Sequence, residues 1–141
     1  MATVDTKMRT LLSWLWVFVM LNMLLADVLS YLYPGILAQI LEGRADQITI
    51  TPGFILLAAV LCEIPIAMVL LTQVLPQRAA RWANVIAGVV TIVYVVGMRS
   101  DAPHYLFIAS LETLACAVIV WKAWTWRGLE QRVPARDLVA E

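Results

Sequence analysis

Four long apolar segments constrain the fold of this chain more than any other feature. They cover about residues 11–33, 52–74, 81–97 and 103–126, and three of them contain at least 23 residues. Because each helical residue adds about 1.5 Å, about 20 apolar residues cross a hydrocarbon core of about 30 Å. The composition agrees, since 62% of the residues are hydrophobic and 14% are charged, against about 45–50% and about 25% in soluble domains. We therefore predict an all-α membrane protein, an antiparallel four-transmembrane-helix bundle with short loops.

Local signals mark where the predicted helices begin. Thr51 is a good N-cap and Pro52 suits the first helical position. Ser100 and Asp101, which precede Pro103, repeat this arrangement before the fourth segment. The link between the second and third segments is short, so we predict that these two helices are antiparallel neighbours.

The remaining parts of the chain are short. Residues 1–10 form a polar leader, and residues 127–141 form a charged tail. The one long loop contains residues 35–43, whose apolar side chains recur at helical spacing. Two interpretations of this stretch stay open, a short helix at the membrane interface and an ordinary loop with incidental apolar residues.

Basic residues are distributed unevenly between the two sides of the predicted bundle. Eight of the ten lie on the side of the termini, and two lie on the other side. The eight are Lys7, Arg9, Arg78, Arg81, Lys122, Arg127, Arg132 and Arg136, and the two are Arg44 and Arg99. All six tryptophans also fall on the side of the termini, where we interpret them as interfacial anchors rather than a ligand box. The positive-inside rule then predicts that both termini, with the leader and the tail, are cytoplasmic.

Three acidic residues lie inside the apolar segments. At helical rise, Asp27 lies about 9 Å from the outer end of its segment, Glu63 about 16 Å into the second, and Glu112 about 14 Å into the fourth. An ionisable residue at such depth costs about 2.5–3.5 kcal/mol on insertion scales and usually faces protein or water. No basic residue lies beside these acids within a segment. We predict a ligand- or proton-binding site, with Glu63 as the floor of an outward-leaning acidic cavity.

Further polar residues complete the candidate site. Tyr31 lies one turn beyond the first acid, Asn84 lies on the third helix, and His104 lies at the predicted mouth. An asparagine in a membrane helix is also commonly a link between helices, and a single histidine here also fits an interfacial position. Pro65 removes a helix hydrogen bond close to the deepest acid, so we predict a kink that widens the bundle there.

The sequence predicts no catalytic residue, metal site or cofactor. Cys62 and Cys116 lie inside apolar segments, as buried small hydrophobic residues do, and His104 is the only histidine. Walker, GxGxxG, HExxH and GxSxG motifs are absent from the sequence. A net charge of zero argues against a nucleic-acid partner. The expected partners are the lipid bilayer, a small apolar or cationic ligand, and a second copy or another membrane protein.

Four stretches together carry a resemblance, LLSWLWVFVMLNMLLADVLS, ITPGFILLAAVLCEIPIAMVLL, RWANVIAGVVTI and PHYLFIASLET. Up to Trp126 the chain resembles a bacterial four-helix integral membrane family that is known only as a domain of unknown function. The resemblance implies a multi-pass protein of the bacterial inner membrane, and it implies no activity or catalytic residues. Four short-looped helices with buried acids are also similar, more distantly, to the DoxX-like membrane proteins.

Four functions fit these observations. The first is binding or carrying of a small apolar or cationic ligand by the three acids. The second is proton- or cation-coupled transport, as a transporter or channel formed by a homo-oligomer. The third is an accessory role, in which the acids meet polar groups of a partner subunit. The fourth is an isomerase-type enzyme acting on a lipid with two carboxylates, which we favour least because no nucleophile, metal or cofactor motif accompanies them.

Overall fold

A computed structural model of the chain describes residues 2–45, 48–98 and 102–126. It contains five helices and two short strands in these ranges. In chain order they are α1 (Ala2–Leu32), α2 (Ile36–Leu41), β1 (Arg44–Ala45), β2 (Ile48–Thr49), α3 (Pro52–Val74), α4 (Gln77–Gly97) and α5 (Pro103–Thr125). The predicted tail 127–141 and the predicted cap at Ser100 and Asp101 lie outside the described residues, as does Arg99.

The four long helices form a bundle in which each packs against two neighbours, in the cyclic order α1, α3, α4, α5. At one end, the Arg9 side chain near the start of α1 contacts both the backbone at the end of α3 and the ring of Trp126 after α5. We call this the N-terminal end. At the other end, Tyr33 after α1 stacks on His104 at the start of α5, with ring centroids 5.5 Å apart. We call this the α2 end. Consecutive long helices are therefore antiparallel, as the sequence predicts.

The outer surface of the bundle is apolar along all four long helices. Exposed large side chains include Leu24, Leu56, Val93 and Leu114. All four helices are long and apolar enough to cross a membrane, by length and composition. Because water-exposed surfaces of soluble monomers rarely carry apolar patches larger than a few hundred Å², this surface suggests a multi-pass membrane protein.

Helix boundaries match the sequence signals closely where a cap is present. The Thr51 hydroxyl accepts a hydrogen bond from the backbone N–H of Phe54 at 3.1 Å, and Pro52 is the first helical residue. This confirms the predicted start of α3. The fourth predicted helix also starts at Pro103, but its N-cap is Ala102, which makes no side-chain cap hydrogen bond.

Two helices begin earlier than the apolar pattern indicates. α4 begins at Gln77 rather than near residue 81, because the extended backbone of Pro76 ends the link and the next residues are good helix formers. α1 begins at Ala2, so the predicted polar leader is helical. Arg9 stabilises this first part, since its Nε donates to Asp5 at 2.8 Å and its Nη1 donates to the carbonyls of Thr72 and Leu75 at 2.9 and 2.8 Å. The last carbonyls of α3 lack partners in their own helix and thus accept from a cation.

The loop at the α2 end is a short helix followed by a hairpin. The helical interpretation of residues 35–43 is confirmed for α2. Gly43 follows the helix with a φ of 77°, a left-handed conformation that favours glycine at a helix end. β1 and β2 then pair antiparallel. Leu37 and Leu41 are both exposed on α2.

Candidate functional site

Glu112 is the buried acid around which the candidate site is built. It lies on the face of α5 that also carries the buried residues Ile108 and Cys116, at spacings of four residues. The side chain is only 3% exposed, and its Oε1 has no hydrogen-bond partner among the described residues. Most buried polar atoms in proteins do have a partner. This oxygen is therefore available to a ligand or a proton.

Asp27 supplies the second carboxylate. It lies on α1, which packs against α5, and it is within electrostatic range of Glu112. Its side chain is exposed at the surface of the bundle. The pair therefore consists of one acid at the surface and one in the core, and we call Asp27 and Glu112 the acid pair.

Three further side chains surround the acid pair. Cys62 on α3, Tyr94 on α4 and Tyr105 on α5 each lie within electrostatic range of Asp27. The Tyr105 hydroxyl donates to the carbonyl of Val95 at 3.1 Å, which links α5 to α4. The Cys62 Sγ and the Tyr94 hydroxyl lie 3.8 Å apart and share one hydrogen bond. All four long helices thus contribute to the surroundings of the acid pair.

A close approach of α4 to α5 fixes the position of Glu112. A Cβ atom added to Gly88 on α4 would lie 2.6 Å from Val120 Cγ2 and 3.5 Å from the backbone oxygen of Cys116. The absence of a side chain at Gly88 therefore allows the two helices to touch one turn from Glu112.

His104 and Tyr31 lie at the α2 end, farther out than the acid pair. His104 is two turns from Glu112 on the same face of α5, and its buried Nε2 has no partner within the described ranges. Its ring stacks on Tyr33 at an interplanar angle of 40°. Tyr31 is 56% exposed on the outer surface of α1. Both residues lie nearer the α2 end of the bundle than the acid pair does.

The role of Glu63 as the floor of an acidic cavity stays a prediction. The structure exposes its side chain on the outer surface of α3. The physical reason is the helical rotation of about 100° per residue, which turns the neighbouring Cys62 toward the core and Glu63 away from it. Pro65 is buried within an uninterrupted α3. The kink at Pro65 stays a prediction.

Asn84 belongs to a second polar cluster, nearer the N-terminal end. It is fully buried, and its Oδ1 accepts from the indole Nε1 of Trp16 at 2.7 Å. Its Nδ2 donates to the Thr72 hydroxyl at 3.1 Å and to the Ala80 carbonyl at 2.7 Å. Because both polar atoms of the amide are already bonded, the structure favours the interpretation of Asn84 as a link between helices. We do not include it in the candidate site.

Sequence reasoning missed the residues that surround the acid pair. The sequence predicts Cys62 to be a buried small hydrophobic residue, and it predicts no site role for Tyr94 or Tyr105. One signal was available, since Tyr105 and Glu112 are seven residues apart and share a helix face. The position of Cys62 carried no such signal, because its neighbours one turn away on α3, Ala58, Ala59 and Ile66, are all apolar.

Two neighbouring carboxyl groups, one of them buried, are most easily accommodated when a proton or a cation lies between them. The surrounding thiol and phenol groups are neutral donors or acceptors that could orient such a ligand. The described residues contain no cluster of three His, Cys, Asp or Glu side chains that could hold a metal ion.

Comparison with known proteins gives a family and no activity. No curated protein matches the chain, and no solved structure matches it. The chain matches the family described as Family of unknown function (DUF6326) over residues 1–132, and with nearly its whole length covered it belongs to that family.

Proposed function

We propose that this protein binds a small cationic ligand, or an apolar ligand with a cationic group, at the acid pair in its membrane domain. The observation that carries the proposal is the buried Oε1 of Glu112, which has no partner in the described part of the chain. An unpaired buried polar group costs about 1–3 kcal/mol. A ligand that donates a hydrogen bond or a positive charge to this oxygen would offset that cost.

The exposure of Asp27 supports a route to Glu112 from the surface of the bundle. Because Asp27 reaches the surface and lies within electrostatic range of the buried acid, a cation attracted to Asp27 is also attracted inward. The two tyrosines beside the pair offer aromatic rings, whose faces attract cations. The predicted ligand therefore combines a positive charge with an apolar body.

The location of the site within the cell is part of the proposal. The excess of basic residues beside the termini supports cytoplasmic termini. With that orientation the acid pair lies in the half of the bundle that faces the outside. We also propose a bacterial inner-membrane location and an architecture similar to that of the DoxX-like proteins, as the resemblance of the sequence implies.

The first test is a thermal shift with a defined cationic probe. The full chain in dodecyl maltoside is melted with and without tetraphenylphosphonium, and the variants Glu112→Gln and Glu63→Gln are compared with the wild type. Binding at about 100 times the Kd stabilises a protein by about 2.7 kcal/mol, which corresponds to roughly 5–15 °C for a chain of this size. We expect this rise for the wild type and for Glu63→Gln, and none for Glu112→Gln.

The unliganded melting temperatures supply the control. Glu112→Gln replaces a buried, unpartnered carboxyl group with a neutral amide of nearly equal size, so its apo form should be at least as stable as the wild type. A loss of response then reflects the lost carboxylate rather than unfolding. Equal shifts for the wild type and Glu112→Gln would contradict the proposal.

A second candidate function is assembly of the chain with itself through α3. Glu63 lies exposed in an apolar face, one turn from the exposed Ala59 and one turn from the half-buried Ala67. Small residues at this spacing allow two membrane helices to approach closely. In a symmetric pair, two Glu63 side chains would face each other away from lipid and could share a proton. This arrangement supports the homo-oligomer that the transporter hypothesis requires.

A further inference from the structure

The N-terminal end of the bundle carries a second group of residues with an arrangement unrelated to the acid pair. The Arg81 guanidinium lies 6.0 Å from the ring centroid of Trp82 and 5.8 Å from that of Trp124. The two rings contact each other edge to face, with centroids 5.9 Å apart. Arg81 is thus held by two aromatic rings, one from α4 and one from α5. We call Arg81, Trp82 and Trp124 the arginine clamp.

The depth of the arginine clamp matches a membrane interface. Arg81 lies four residues after the start of α4, which is about 6 Å along the helix axis. The 21 residues of α4 span about 31 Å, close to the thickness of a hydrocarbon core. Trp82 and Trp124 are 52% and 55% exposed, and tryptophan concentrates at the level of the headgroups.

A second cation lies on the same surface of the bundle. The Lys122 ammonium is 5.7 Å from the ring centroid of Trp121, which is 65% exposed. Trp121 and Trp124 are one turn apart on α5, so their rings share one face of the helix. Arg81 and Lys122 therefore flank an exposed aromatic surface, and both lie at about the same height along the bundle axis.

A row of exposed apolar side chains extends from the arginine clamp along the outer surface of α4, toward the α2 end. Ile86, Val89 and Val93 follow Trp82 on one face of α4, at spacings of three and four residues, and all are exposed. A lipid acyl chain can lie along this row of apolar side chains. A free phosphate ion makes no favourable contact with apolar side chains.

We propose that the arginine clamp binds an anionic phospholipid, with Arg81 donating to the phosphate group and the acyl chain lying along the exposed stripe of α4. A planar guanidinium held by its neighbours donates in a fixed direction, which suits a phosphate better than a mobile lysine does. Lys122 supplies the second positive charge for an acidic headgroup. The site does not depend on the acid pair or on which side of the membrane this end faces.

Quenching by brominated lipids tests the proposal. The full chain is reconstituted in phosphatidylcholine vesicles that contain a minor fraction of brominated phosphatidylglycerol, and tryptophan fluorescence is compared with that in brominated phosphatidylcholine. The wild type should select phosphatidylglycerol, and Arg81→Gln should lower the selectivity about fivefold, the factor typical of one basic residue at an anionic surface. Trp124→Leu, which removes one of the rings that hold Arg81, should lower it in the same direction.

Lys7→Gln is the matched control, because Lys7 is an exposed basic residue of α1 at the same end of the bundle. Removing a charge there should change the selectivity less than twofold. An equal loss for Lys7→Gln and Arg81→Gln would show diffuse attraction to the surface and would overturn the proposal. Displacement of the lipid by millimolar glycerol 3-phosphate would overturn it as well, since the site would then be one for a free phosphate. If Arg81→Gln does not fold, the test depends on Trp124→Leu. Unchanged selectivity for phosphatidylglycerol in that variant would then overturn the proposal.

Discussion

At the scale of single residues, Asn84 shows how a polar side chain is accommodated inside the bundle. Its amide joins Trp16 on α1 and Thr72 on α3 to its own helix α4. Trp16 is fully buried, whereas Trp14, two residues earlier, is 67% exposed. The interpretation of all six tryptophans as interfacial anchors is therefore too broad, because Trp16 is a core residue with a hydrogen-bond partner.

Replacing Asn84 should destabilise the bundle. Asn84→Ala removes the partners of the Trp16 indole and the Thr72 hydroxyl, and interhelical hydrogen bonds in membranes average about 0.6 kcal/mol with values up to about 1.7 kcal/mol. Since two helices lose a bond, we expect a loss of about 1–3 kcal/mol in the free energy of unfolding, measured by SDS titration in mixed micelles. Asn22→Ala is the control, because within the described part of the chain Asn22 bonds only to the Phe18 carbonyl of its own helix. A loss of similar size in both variants would contradict the role assigned to Asn84.

At the scale of elements, α4 and α5 approach each other closely around Gly88. The space for a Cβ at Gly88 is already occupied by Val120, whose branched side chain has few alternative rotamers. Gly97 lies near the end of the same helix with nothing within 4 Å of its Cβ position. A side chain at Gly88 would therefore clash with α5, whereas a side chain at Gly97 would meet no neighbour within 4 Å.

Gly88→Ala should weaken the packing of α4 on α5. Overpacking of a close contact costs about 1–3 kcal/mol, and we expect a loss of that size in the thermal or SDS unfolding of the full chain. Combining Gly88→Ala with Val120→Ala should restore part of the loss, because the second change removes the clashing methyl group. Gly97→Ala should be neutral or slightly stabilising, since alanine favours the helix. An equal loss of stability in Gly97→Ala and Gly88→Ala would show that the loss comes from the helix propensity of the residue. It would contradict a clash between α4 and α5.

At the scale of the whole molecule, the bundle leaves Glu63 exposed on the outer surface of α3. A charged side chain near the middle of a bilayer costs about 2.5–3.5 kcal/mol on insertion scales. An assembly that covers Glu63 would lower that cost. The α3 surface is suited to this, because Ala59 lies exposed one turn away.

Self-association through α3 should be sensitive to the size of residue 59. In mild detergent, the mass of the full chain measured by light scattering should be that of a dimer or a larger assembly. Ala59→Leu should lower the assembled fraction severalfold, because a larger side chain keeps two helices apart. Ala117→Leu introduces the same change at an exposed position of α5 and should have no effect. A monomeric wild type, or equal effects of the two substitutions, would exclude this assembly.

The sequence by itself determined the number, length and alternation of the long helices. Apolar length, Thr51 with Pro52, and Pro103 are local properties, so the chain carries them without reference to its neighbours. The sequence also placed three acids at depth.

Only the tertiary structure decided which of those acids meet. Asp27 and Glu112 lie within electrostatic range of each other because α1 packs on α5, while Glu63 faces outward because Cys62 faces inward. In a soluble protein, polar residues on one side would reveal which face of a helix is buried. On α3 most exposed residues and most buried residues are apolar, so the sequence carries no clear signal, and the direction of Glu63 is set by packing.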